Sequence, residues 1–258
     1  MLSSKAHHLQ HNSRQEGLSV NKIVGLDSIQ LDDTSITLLS GCNRGFSSRE
    51  EGLAKRISSA RGDWALTDSD HDYNNLLKYV TDVPYDESIL LWHIATDLCY
   101  HTEKEPIGVR VTRLQLSKTL LDYMLYLLVF QPTMMSAVAG IVKIRFRDTC
   151  EEAKRFFKSR SLGPNKDKEA CEQIMSANTD VGPKEVKGDR SKSVLFNASI
   201  LAKELQTMVG EDKWKIMSRV WVELVSYAAS HCGANTHAAE VSKGGQLVTF
   251  FWLLNVGK

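Results

Sequence analysis

The residues best equipped for chemistry form one short run, Lys187-Gly188-Asp189-Arg190-Ser191-Lys192-Ser193, directly ahead of a periodic apolar segment. The start of a helix presents unpaired backbone N–H groups and the positive end of its dipole. Gly188 lets the backbone come close to a ligand, Ser191 and Ser193 offer hydroxyls, and Lys187, Arg190 and Lys192 add cationic donors. Those ingredients predict a site for a phosphate or sulfate group. They also describe a capped helix start, in which Asp189 or Ser191 satisfies the N–H groups and the cations face solvent. Capping alone accounts for the Ser and Asp residues.

His231, Cys232 and His237 invite a metal reading, with His93, Cys99 and His101 completing the set from a distant segment. Zinc needs three or four such ligands at close range. No C-x-x-C pair occurs, so no metal is expected. His93 and His237 read instead as hydrogen-bonded structural histidines at helix ends. Cys232 follows His231, but helix neighbours point about 100° apart, which does not make a nucleophile and its base. Glu223 with Glu240, or Asp97 with Asp189, are acid/base pairs only in the sense that 31 acidic residues offer many pairs. Gly41-Cys42-Asn43-Arg44-Gly45 lacks the Lys-Ser/Thr of a phosphate loop. No cofactor is expected.

The elements that would position these groups are helices. Asp86 can cap a helix with the stripe Leu91, Ile94, Ala95 and Leu98. Leu121, Met124, Leu125 and Leu128 repeat the spacing in a second helix that must end or kink near Pro132. Thr149 and Glu152 read as a capping box ahead of Phe156 and Phe157. A short helix near Cys171–Met175 sits among loops. Ser191 or Ser193 opens a helix through Val194, Ala198, Leu201, Leu205 and Met208. The next carries Trp214, Met217, Trp221, Leu224, Val225 and Ala228 to Gly233, and Leu247, Phe250, Phe251 and Leu254 follow Gly244-Gly245. Trp92, Trp214, Trp221 and Trp252 are interleaved with aliphatics, which marks them as core rather than as a base-stacking platform. No alternation of strand type competes.

Residues 1–75 are weakly patterned, with short apolar clusters at Ile36–Leu39 and a candidate short helix at Arg49–Ser58; they read as a weakly ordered tail or connector. Lys and Arg number 32 against 31 Asp and Glu, which excludes the strongly basic balance of a nucleic-acid-binding domain. Five widely spaced cysteines suit reduced thiols in a cytosol-facing compartment. Tyr123–Val142 approaches the length of a membrane span, but Gln131-Pro132 interrupts it, and burial as a helix pair explains the same residues. From Lys143 to Arg160 seven Lys/Arg face three acidic residues, a solvated helix face or a patch that leans on anionic lipid.

Four segments taken together carry a likeness. They are DESILLWHIATDLC at Asp86–Cys99, YMLYLLVFQP at Tyr123–Pro132, VKGDRSKSVLFNASILAKEL at Val186–Leu205, and the stretch Trp214–Leu254. In that order they resemble the plant family called domain of unknown function 594, closely over residues 186–254 and more weakly back to residue 84. The resemblance implies a plant protein and a helical C-terminal region, and it implies no reaction. Members of that family usually carry an N-terminal multi-helix membrane region, domain of unknown function 4220, which is missing here. Gln246 and Asn255 stand where the family pattern implies Glu and an apolar residue.

The expectation is therefore an all-α, irregular helical bundle over residues 76–258 with a weakly ordered tail over 1–75. Its function reads as a non-catalytic interaction module, in the cytoplasm or on the cytosolic face of a membrane. It would bind a protein partner or an anionic membrane surface, with no nucleic acid. The alternatives are an enzyme of unrecognised class with an anion site at residues 187–193, and a truncated, non-functional family member.

Overall fold

At the centre of the molecule lies a helix without a solvent face. The computed structural model describes residues 59–68, 73–103, 109–131, 133–138, 140–158, 160, 166–179, 193–208, 212–242 and 247–256. Within them, every residue from Tyr85 to Cys99 is buried. Ile89, Leu90, Leu91, Trp92, Ile94, Ala95 and Leu98 step around the whole cylinder at about 100° per residue, so other helices must enclose it.

In chain order the helices are α1 (Asp63–Thr67), α2 (Tyr85–Thr102), α3 (Val109–Phe130), α4 (Val142–Phe157), α5 (Lys166–Met175), α6 (Val194–Gln206), α7 (Asp212–His231), α8 (Ala234–Val241) and α9 (Leu247–Val256). A 3-10 turn at Asn74–Tyr79 joins α1 to α2. No strand occurs among the described residues, and the fold is all-α. Helix α2 packs against α3, α4, α5 and α6, while α3 packs on α7 and α7 on α9.

Side chains fix the register. Cys99 and Thr102 of α2 meet Ala202 and Gln206 of α6, so those two helices run parallel. His93 and Asp97 meet Leu121 and Lys118 of α3, which runs antiparallel to α2. From α7, Trp221 Nε1 donates to Thr96 Oγ1 at 3.0 Å and Trp214 Nε1 to Glu103 Oε2 at 2.8 Å. Trp92, Trp214, Trp221, Tyr123 and Phe251 are the largest side chains in this core.

Several boundaries differ from the sequence reading. Helix α2 begins at Tyr85 with Pro84 as its N-cap, so Asp86 lies in the first turn and does not cap. Thr149 and Glu152 lie inside α4 and not at a helix start: Thr149 Oγ1 donates to the Arg145 carbonyl one turn back. The chain does break where Pro132 requires, since α3 ends at Phe130. Packing also begins before residue 76. Ala60, Ala65 and Leu66 are buried, and α1 lies on α7. Five residues are too few to show a helical period, which is why α1 is silent in the sequence. The cluster Ile36–Leu39 and the segment Arg49–Ser58 fall outside the described residues.

Trp221 is fully buried and anchors α7 to α2. Trp221→Ala should cost about 3–5 kcal/mol through the cavity it leaves, read as a shift of the urea midpoint. A variant that unfolds at the parent's midpoint would show that this side chain is not core.

Candidate functional site

Of the predicted anion site, only Ser193 lies among the described residues; Lys187, Gly188, Arg190, Ser191 and Lys192 lie outside them. Ser193 is the N-cap of α6. Its extended backbone turns the hydroxyl toward the first turn, where Oγ accepts from Phe196 N–H at 3.1 Å. The hydroxyl is fully buried in that role.

The histidines and cysteines weighed as ligands are spread through the fold. Among the described residues no group of three His, Cys, Asp or Glu is placed to hold a metal. His237 of α8 is fully buried: its Nε2–H donates to the Ala229 carbonyl at 3.0 Å and its Nδ1 accepts from Thr249 Oγ1 at 3.1 Å. Its ring stacks on Trp252 with centroids 4.8 Å apart, so one imidazole joins α7, α8 and α9. His93 of α2 donates from Nδ1 to the Leu121 carbonyl of α3 at 3.3 Å. His231 stacks on Tyr227 one turn earlier. Cys99, Cys150, Cys171 and Cys232 are buried thiols outside any disulfide. Burial pushes the Cys99 thiol up to about 12, which leaves it without nucleophilic character near neutral pH.

Ion pairs answer the buried charges of α2. Arg145 of α4 donates from Nε to Asp86 Oδ2 at 3.1 Å and from Nη1 to Glu87 Oε2 at 2.7 Å. Both carboxylates are almost wholly buried. Gly140 closes over them: a Cβ there would lie 3.3 Å from Asp86 Oδ1. Asp97 is met by Lys118 at 3.3 Å and by His101 at 3.7 Å. The sequence reading placed Asp86 as a cap and Asp97 in an arbitrary pair. The signal that marks them is the absence of any polar face on α2, which forces each of its charges inward.

Glu223 of α7 is buried as well and faces α1. Its Oε2 accepts from Gly62 N–H at 3.0 Å, and the backbone N–H of Ala65 also favours the charged form. Loss of solvent, then the negative charge of Asp63, push the carboxyl up to about 8 against the pull of those N–H groups and Arg219. Its sequence partner Glu240 belongs to α8.

Helix α4 is the most exposed of the long helices. Val142, Thr149, Cys150 and Glu152 are its buried residues. Lys143, Arg147, Lys154, Arg155 and Lys158 are exposed, as are Ile141 and Ile144, at 57% and 49%. Asp148 and Glu151 lie on the same face, 3.5 Å from Arg147 and 2.7 Å from Lys154. The apolar pair was missed because Ile141 and Ile144 continue the hydrophobic run that precedes them.

These features define an all-helical module whose buried polar groups brace helix against helix. Residues 206–256, which comprise the last residue of α6 and all of α7, α8 and α9, match the family described as Protein of unknown function, DUF594. Residues 186–205, expected in the same likeness, precede that match. No curated protein and no solved structure matches the chain.

Removing Arg145 strands two buried carboxylates. Arg145→Met is expected to cost about 3–5 kcal/mol, and adding Asp86→Asn and Glu87→Gln should recover most of the loss. Denaturant titrations of the three proteins check this. An Arg145→Met variant as stable as the parent would place the pair in water.

Proposed function

We propose that this chain is a non-catalytic helical module that docks on an anionic membrane surface through α4. The observation that carries the reading is the outer face of that helix, where two exposed isoleucines adjoin a row of cations. Five exposed Lys and Arg residues share the face with two carboxylates, so its field favours a negative surface. Ile141 and Ile144 supply what charge alone does not, an apolar contact able to enter the headgroup boundary. Among the described residues no helix is long and apolar enough to cross a membrane; the docking is therefore peripheral in these elements. Arg145 fixes the orientation of α4 from its inner side, which keeps the basic face outward without consuming it.

Sedimentation with vesicles tests the reading. The protein should bind vesicles of phosphatidylcholine and phosphatidylserine at 0.1 M salt and should release as salt rises, because screening shortens the reach of each charge. Changing Lys143, Arg147 and Arg155 to Glu removes about 1 kcal/mol of attraction per cation, so affinity should fall by about 100-fold or more. Ile141→Asp with Ile144→Asp should weaken binding while leaving its salt dependence in place. Equal binding to pure phosphatidylcholine vesicles, or no binding to the anionic ones at low salt, overturns it.

A further inference from the structure

Glu223 occupies a position that packing alone does not require. It is a carboxyl at 5% exposure on α7, set against the first turn of α1. Gly62 makes the approach possible: its φ of +112° belongs to the left-handed region, and a Cβ there would lie 2.8 Å from Val80 Cγ1 and 3.1 Å from Val220 Cγ1. Arg219 adds peripheral ties between the two helices, from Nη2 to Asp68 Oδ2 and from Nη1 to the Asp68 carbonyl, both at 3.2 Å. Charged groups around Glu223 come from both helices. Asp63 of α1 opposes its ionisation and Arg219 of α7 favours it. Arg61 is turned away, onto the carbonyls of Thr81 and Val83. The Tyr85 phenol of α2 donates to the Leu224 carbonyl and stacks near Tyr227.

We propose that Glu223 is a proton-operated latch: protonated, it seats α1 on α7, and ionised, it lets α1 lift away. A neutral carboxyl still accepts from Gly62 and Ala65 and has little need of water. A carboxylate in the same place has no closely bound cation among the described residues and gains hydration when α1 opens. Opening is therefore coupled to proton release. Below the ordinary carboxylate value of 4.5 the group is neutral in both states and the seat is fully stable. Between that value and about 8 the open form is ionised while the closed form is not, so opening grows by up to tenfold per pH unit. Above about 8 both forms are ionised and the dependence ends.

Amide hydrogen exchange on the whole chain tests the latch. Rates are corrected for intrinsic pH dependence and followed in a peptide spanning Gly62–Thr67. Protection there should fall by at least about tenfold from pH 5.5 to pH 7.5, from a level that stays below that of amides in the middle of α2, since α1 opens without the rest of the chain. Glu223→Gln keeps the acceptor without the charge and should show equal protection at both pH values. Asp63→Asn removes one cause of the raised pKa and should shrink the fall. Wild-type protection that does not change between the two pH values overturns the proposal. So does a Glu223→Gln or Asp63→Asn variant with the full wild-type response.

Discussion

A helix enclosed on every side has nowhere to put a charge except against another charge, and α2 carries Asp86, Glu87 and Asp97. That constraint dictates much of what surrounds it. Arg145 must come from α4 and Lys118 from α3. The attraction within a buried pair does little more than offset the loss of water, so these contacts select an arrangement more than they stabilise it. An α4 held by apolar burial alone would have many near-equivalent rotations. With Arg145 bound to two fixed carboxylates it has one, and the outward side of the helix follows from that.

The sequence was most legible where helices are one-sided. The stripes of α6 and α7 read directly, because an apolar row at helical spacing has a single way to face a core. The stop in α3 was legible because proline cannot continue a helix beyond its predecessor. Ser193 was foreseen as one of two possible caps, and its neighbours could not separate them. The polar residues of α2 were misleading: periodicity assigns polar positions to solvent, yet Asp86 and Glu87 are met by Arg145 of α4 and Asp97 by Lys118 of α3, partners distant in sequence. Helix α1 carried no signal, since its place depends on one left-handed glycine and one distant glutamate. Thr149 and Glu152 matched a cap pattern by letter, but a threonine that bonds its own preceding turn serves equally well within a helix.

The segment that matches a family of unknown function is also a structural corner. His237 draws the end of α7, the whole of α8 and the start of α9 together through both ring nitrogens and its stacked face. The Val248 N–H donates to the Tyr123 hydroxyl at 2.9 Å, which ties that corner to α3. Within that corner the buried polar side chains of His237 and Thr249 are committed to one another.

Among the described residues four cysteines lie on or directly after four different helices: Cys99 on α2, Cys150 on α4, Cys171 on α5, and Cys232 just beyond α7. Each is buried in the fold, so a thiol reagent reacts with it chiefly after local opening. The protein thereby contains its own set of kinetic clocks. The labelling time of each sulfur measures how often its helix separates from the rest. Loosening of an outer helix such as α4 is then distinguishable from global unfolding, which exposes Cys99 in the central helix.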